Sequence, residues 1–164
     1  MKLPRILTHP AFVSISMQLI LAYQWLHSGW GKIYGGTFVG SIHSSFVRFE
    51  NGNPHNWYID SVLKSAKEYP ALFANLVQWG EILTGLGLLF ALTLYWFSKK
   101  SINKNIARCI AISALTGGVF MNLNFYFAAG WTSPSTNGLN ILMLWMQTVL
   151  LVSWIVIRTK DQKQ

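Results

Sequence analysis

Charged residues are scarce in this chain, and acidic residues are the scarcest of them. Only 11% of the 164 residues are charged, and only five are Asp or Glu. Soluble domains have about a quarter of their residues charged. Here 52% of the residues are hydrophobic, and they are gathered in blocks. The composition therefore predicts an integral membrane protein with a single domain over residues 1–164, surrounded by membrane lipid.

Residues that hold metals or redox groups are few as well. Cys109 is the single cysteine, which excludes an intrachain disulfide, a CxxC redox pair and a thiolate metal cluster. A haem held by two histidines needs both at membrane depth, and of the four histidines only His27 lies inside an apolar block. No glycine-rich phosphate loop occurs between a strand and a helix. We therefore expect no haem, no metal, and no flavin or nucleotide site.

Four apolar blocks are each long enough to cross a bilayer, which takes about 20 residues in a helix. The first block is too long for the core of a signal peptide, and no small-residue cleavage site follows it, so we expect it to remain as a span. The predicted spans are residues 12–34, 71–97, 106–129 and 139–157.

Basic residues flank these spans. A net charge of +8 in a soluble protein would suggest a nucleic-acid partner. Most of the 13 Lys and Arg residues, however, lie at the N-terminus, between the second and third spans, and after the fourth span. The positive-inside rule then places both termini in the cytoplasm. We expect a multi-pass membrane protein with no nucleic-acid partner.

The long connection between the first and second spans carries two apolar patterns at helical spacing. Each predicts a short amphipathic helix on the outer membrane surface. Such helices either cover apolar area of the bundle or form a lid over an outward-facing site. The predicted fold is thus all-α, a four-helix transmembrane bundle with two short amphipathic surface helices in the first extracytoplasmic connection. The patterned residues are Phe38, Ile42, Phe46 and Phe49, then Ile59, Val62, Leu63 and Ala66.

The second span contains a carboxylate, Glu81, which shares one helix face with Asn75 and Gln78. An ionisable group inside a span costs on the order of 2.5–3.5 kcal/mol, so it usually has a partner. At a rise of 1.5 Å per residue, Glu81 lies ~27 Å from the basic inner boundary. By the same count Asn122, Asn124 and Asn140 lie ~21–27 Å from it, and Lys32 sits near the outer end of the first span. Four helices therefore supply polar residues at one level.

Lys32 is the natural ion-pair partner of Glu81, and His27, Gln24 and Gln78 would extend the network. Three interpretations remain open from the residues alone. The cluster is structural glue between helices, or it is a ligand site. Alternatively, Lys32 reaches the outer interface without touching Glu81.

Several short motifs, in order along the chain, resemble the DoxX/DoxD-like family of small bacterial membrane proteins. The family is a four-helix bundle of the bacterial inner (plasma) membrane, and it includes the small subunit of thiosulfate:quinone oxidoreductase, which passes electrons from thiosulfate to membrane quinone. The resemblance implies that Lys32, Glu81, Asn122 and Asn140 are recurrent polar positions. The motifs are residues 29–32 (Gly-Trp-Gly-Lys), 81–89, 121–122, 130–131 and 137–140 (Asn-Gly-Leu-Asn).

Our first functional hypothesis is a membrane subunit of an oxidoreductase that acts on quinone with a second protein subunit. Quinone chemistry needs hydrogen-bond donors, an aromatic wall and a proton-exchanging group. Glu81 and Lys32 are the predicted catalytic residues. A second hypothesis is a non-catalytic scaffold or partner-binding protein, and a third, without a visible inverted repeat to support it, is a small-solute carrier. The predicted cofactor-binding residues are Trp30, Gln78, Trp79, Asn122, Asn124, Asn140 and His27.

Overall fold

The computed structural model describes residues 10–156, and these residues form helices with no strand among them. The predicted all-α fold is confirmed for this part of the chain. Four long helices are joined by short connections, except for a group of short helices between the first two. The elements are α1 (Pro10–Tyr34), α2 (Phe38–Glu50), α3 (Asn56–Tyr58), a π-helical turn (Ile59–Leu63), α4 (Lys64–Glu68), α5 (Pro70–Phe97), α6 (Ser101–Ala129), a 3-10 turn (Gly130–Thr132) and α7 (Pro134–Val156).

Three of the described helices are long and apolar enough to cross a membrane. They are α5, α6 with the 3-10 turn that follows it, and α7. Helix α1 spans ~37 Å, which is also long enough. It has no stretch as apolar as those of the other three, because polar residues such as Gln18, Gln24 and Lys32 are spread along it. By length and composition α5, α6 and α7 are therefore able to cross a membrane, whereas a crossing by α1 needs a further argument from packing.

Two predicted boundaries differ from the structure. Helix α6 begins at Ser101 rather than at residue 106, and α7 begins at Pro134 rather than at residue 139. The hydroxyl of Ser133 accepts the backbone N–H of Thr136 at 3.1 Å, which is N-cap geometry. Proline is favoured in the first turn because it has no N–H to satisfy. Local capping thus extends α7 beyond its apolar part, while residue 157, the predicted end of the fourth span, lies outside the described residues.

The four long helices pack in sequence order. Helix α1 lies against α5, α5 against α6, and α6 against α7, while α7 also touches α1. A layer of leucines fills the centre at one level of the bundle. Gly85 allows the close approach of α1, since a Cβ there would lie 2.9 Å from the backbone oxygen of Ala22. The fully buried core residues include Leu21, Trp25, Leu88, Leu115 and Leu150.

Residues 38–68 form a cap over the end of the bundle where α1 ends and α5 begins. Helix α2 contacts α4, α5 and α6, and an ion pair between Glu50 and Lys67 joins α2 to α4. The first predicted amphipathic segment of this region is helical, as α2, and buries Ile42 and Phe46. The second is split by the π-helical turn, whose wider winding brings Tyr58 and Leu63 to the same buried side.

Asn53 anchors the connection between α2 and α3 to the bundle. Its Nδ2 donates to the backbone oxygens of Phe49 and Phe127, both at 3.0 Å. Its Oδ1 accepts the backbone N–H of His55 at 2.9 Å. The side chain is buried, and each of these bonds satisfies a backbone group that would otherwise be costly to bury. The cap is therefore held to α6 by polar bonds as well as by apolar contact.

Candidate functional site

Lys32 and Glu81 form an ion pair near the cap end of the bundle. The Lys32 Nζ lies 2.6 Å from Glu81 Oε2 and 2.8 Å from Oε1. Ser28, one helical turn before Lys32, accepts from the Lys32 Nζ at 2.8 Å and donates to Glu81 Oε1 at 3.2 Å. The predicted pairing is confirmed, and Lys32 turns toward Glu81 rather than away from the bundle. Ser28 was missed by the sequence reasoning, although its i−4 spacing from Lys32 placed it on the same face.

The two partners differ in accessibility. The side chain of Glu81 is 1% exposed, whereas that of Lys32 is 23% exposed. A carboxylate buried this deeply depends on its partner, since removing one member of a buried pair typically costs ~3–5 kcal/mol. The lysine, in contrast, reaches an opening from which a ligand can approach it. The site thus presents a buried acceptor behind an accessible donor.

The ion pair lies in the wall of a large cavity of about 1480 Å³. Helices α1, α2, α5, α6 and α7 and the segment 58–66 all contribute to its lining. Of the predicted polar residues, Lys32, Glu81, Asn124 and Asn140 line it together. The rest of the wall is mostly apolar and rich in aromatic rings. These rings belong to Phe38, Phe46, Phe49, Tyr58, Phe73, Phe120 and Phe125.

Tyr58 is a second residue that the sequence reasoning did not identify. Its hydroxyl donates to the backbone oxygen of Asn124 at 3.1 Å and lies 3.2 Å from the Asn124 Oδ1. Burial raises the pKa of Tyr58 to about 12, because the phenolate would lose its hydration. Tyr58 therefore stays a neutral hydrogen-bond donor that joins the cap to α6. No local pattern marks a tyrosine in a short connection as buried.

Two predicted residues, Trp30 and Trp79, lie away from the cavity. Their side chains are 62% and 51% exposed on the outside of the bundle. Each precedes a member of the ion pair by two residues, which in a helix is a rotation of about 200°. The predicted aromatic wall is therefore misplaced, and rings of the cap and of α5 and α6 take that position instead.

The remaining predicted residues lie near the pair but outside the cavity lining. His27 is exposed and stacks on Tyr23, with ring centroids 5.6 Å apart. Gln78 is buried one turn before Glu81, and its Nε2 donates to Asn75 Oδ1 at 3.0 Å. Asn122 is buried, and it lies at the level of Glu81, since its neighbour Met121 packs on Gly80. The Asn122 Nδ2 has no hydrogen-bond partner among the described residues. Neither His27 nor Gln78 extends the network of the ion pair.

Polar side chains continue along the bundle interior but not without interruption. Gln147 packs against Gly118 and Thr84, about one turn further from the cap than Glu81. Beyond it comes the leucine layer, and only then the buried Gln18, which accepts the Trp154 indole N–H and donates to the Leu88 backbone oxygen, both at 2.9 Å. The leucines therefore separate the ion pair from the opposite end of the bundle. No group of three or more His, Cys, Asp or Glu suited to a metal occurs within residues 10–156.

The site therefore combines a charged pair, two asparagines and an aromatic cavity that sequence patterns alone did not assemble. Comparisons of the chain with protein-family models, with curated proteins and with solved structures found no match.

Proposed function

We propose that α1 is a fourth membrane span, so that the chain is a four-helix transmembrane bundle with α2–α4 on its extracytoplasmic surface. The packing of α1 supports this. Its polar residues Gln18, Ser28 and Lys32 bond inside the bundle, while its exposed positions include Leu19 and Ile20. A helix is compatible with a lipid environment when its outward face is apolar and its inward polar groups are hydrogen-bonded within the protein. Both termini are then cytoplasmic, in the inner membrane of a bacterium.

We further propose that the protein is the quinone-interacting membrane subunit of an oxidoreductase, like that of thiosulfate:quinone oxidoreductase in the DoxX/DoxD-like family. One observation carries this proposal: a buried ion pair opens into a large cavity walled by aromatic rings. Ligand pockets typically combine such apolar walls with a few placed polar groups. The rings suit a planar head group, and Lys32 and Asn140 supply donors for its oxygens.

A bound quinone would supply the redox chemistry, since its reduction to a quinol requires two electrons and two protons. The electrons come from a donor carried by a second protein subunit. Glu81 takes up a proton from the extracytoplasmic side, which cancels its charge and frees Lys32 to donate to a ligand oxygen. Glu81 would then pass this proton to the quinone and pair with Lys32 again, and a second such uptake would supply the other proton. The leucine layer keeps this exchange away from the cytoplasmic side.

The substitution Glu81→Gln tests the role of the carboxyl group. The amide keeps the size and a hydrogen bond but cannot carry a proton. We expect quinol formation in membranes that contain the partner subunit to fall by about 10²–10⁴-fold, the usual contribution of a general acid–base. The control is Glu68→Gln, which removes an exposed carboxylate from α4. Wild-type turnover in correctly inserted Glu81→Gln protein would remove this proposal.

A non-catalytic scaffold is the second candidate, and the geometry of the ion pair favours it in one respect. The Lys32 Nζ lies within 2.8 Å of three acceptor atoms, on Glu81 and Ser28, so the ammonium group is saturated without a ligand. Such a closed network suits a structural tie between α1 and α5. For a scaffold, Glu81→Gln protein retains full activity wherever it assembles with its partner.

A further inference from the structure

The cavity continues well beyond the ion pair. On α6 its lining runs from Ala129 to Cys109, which at 1.5 Å per residue is ~30 Å. On α5 it runs past Glu81 and Thr84 to Gly87. Pockets for small molecules usually measure ~300–1,000 Å³, so about 1480 Å³ exceeds the space that a ring alone requires. The excess volume lies between α5 and α6, away from the cap.

This extension, the α5–α6 groove, has small residues along its floor. It is lined by Leu83, Gly87, Cys109, Ile110, Ala114 and Gly117. A Cβ added at Gly117 would meet nothing within 4 Å, so the groove is open there. Leu83 and Phe120, also in the lining, are largely exposed on the outside of the bundle. The groove therefore faces the hydrocarbon of the bilayer and can be entered from it.

We infer that the α5–α6 groove binds the hydrocarbon chain of an amphipathic ligand whose uncharged polar head lies at Lys32 and Glu81. This inference rests on the proposed function, and it identifies the substrate class as a quinone with a long isoprenoid chain. The resting charge of the site disfavours a phospholipid head group, because Lys32 is paired with Glu81, whose carboxylate repels phosphate. The aromatic wall beside the pair fits a planar ring.

The groove acts by shape rather than by removing the chain from water. A chain in lipid is already in apolar surroundings, so it gains only van der Waals packing when it enters a protein groove. The polar head therefore anchors the ligand, and the groove orients the chain that follows it. A ligand without a chain still binds at the head end, but it leaves the distal groove near Cys109 uncovered.

Cys109 provides a direct readout, because it is exposed and lies at the far end of the groove. The protein in lipid nanodiscs is treated with N-ethylmaleimide, and the rate of Cys109 labelling is measured. We expect a long-chain ubiquinone to slow labelling severalfold and the ubiquinone ring without its chain to leave the rate unchanged. Equal rates with and without long-chain ubiquinone would overturn the inference, as would equal slowing by the ubiquinone ring without its chain.

A variant that fills the groove separates this inference from the proposed function. Gly117→Leu places a side chain in the open groove, and the matched control Gly138→Leu places one in open space outside the cavity lining. We expect Gly117→Leu alone to lose Cys109 protection and turnover with long-chain ubiquinone, while the chainless quinone is still reduced. Loss of both substrates in Gly117→Leu, with normal insertion, contradicts the groove assignment. If the proposed function itself is wrong, the Glu81→Gln variant forms quinol at the wild-type rate.

Discussion

At the scale of single residues, Glu81 depends on the ion pair more than Lys32 does. Glu81 is buried in the middle of α5 and accepts from both Lys32 and Ser28, while Lys32 retains access to the cavity. Losing the lysine leaves a bare carboxylate in an apolar helix. Losing the carboxylate leaves an amine that can still turn toward solvent along its flexible stem. The burial of the acid thus decides which partner is indispensable.

The expected outcome is that Lys32→Ala lowers stability more than Glu81→Gln does. Stranding a buried charge costs ~3–5 kcal/mol, while the Gln amide is neutral. Thermal unfolding in detergent measures both variants. Lys64→Ala is the control, since the Lys64–Asp60 pair is largely exposed on both sides and such pairs are worth ~0–1 kcal/mol. Equal unfolding temperatures for wild type and Lys32→Ala would show that the pair contributes nothing to stability.

At the scale of elements, the cap is attached to the bundle by apolar packing and by polar bonds. A cluster of buried apolar residues, which includes Phe46, Tyr58 and Leu63, holds it over the cavity. Polar bonds of Asn53 and Tyr58 fix it to α6. The ion pair of Glu50 and Lys67 then ties its two halves together. The lid interpretation of the amphipathic segments fits this arrangement, since the cap forms part of the cavity wall.

We expect Asn53→Ala to loosen the cap without unfolding the bundle. The change leaves backbone oxygens of Phe49 and Phe127 without their donor, and unsatisfied buried groups cost ~1–3 kcal/mol. Limited proteolysis of the purified protein should then cleave residues 51–56 faster than in wild type. Asn56→Ala, a change at an exposed asparagine of the same connection, should not alter the cleavage rate. Unchanged cleavage in Asn53→Ala would mean that apolar contact alone holds the cap.

At the scale of the whole molecule, the basic residues around the α5–α6 connection are also involved in the packing of α7. The connection between α5 and α6 contains Lys99 and Lys100, and Lys104 follows in the first turn of α6. Arg108 follows it and donates to the backbone oxygens of Trp154 and Ile155 at 2.9 and 2.6 Å. A cation at the C-terminal end of a helix satisfies carbonyls that have no partner within the helix. Arg108 therefore stabilises the C-terminal end of α7, and the proposed topology places this basic cluster on the cytoplasmic side.

The topology predicts that the two ends of α5 face opposite sides of the membrane. Single cysteines replace the exposed Asn51 and Lys100 in a Cys109→Ala background. We expect a membrane-impermeant maleimide to label the first in intact cells and the second only after permeabilisation. Asn53 is unsuitable for this purpose because it is buried and bonded. Labelling of both positions from outside would contradict a crossing by α5.

The sequence alone was enough to predict the helical class and the three most apolar helices, and it named Lys32 as the natural partner of Glu81. Hydropathy and helical periodicity are local properties, and a lone carboxylate among apolar residues demands a cation at the same depth. Only the tertiary structure decided that rings from α2, α5 and α6 wall the site while Trp30 and Trp79 face outward. It also supplied Ser28, Tyr58 and the α5–α6 groove. A cavity is the space left between elements far apart in the chain, and its walls depend on how those elements rotate and pack.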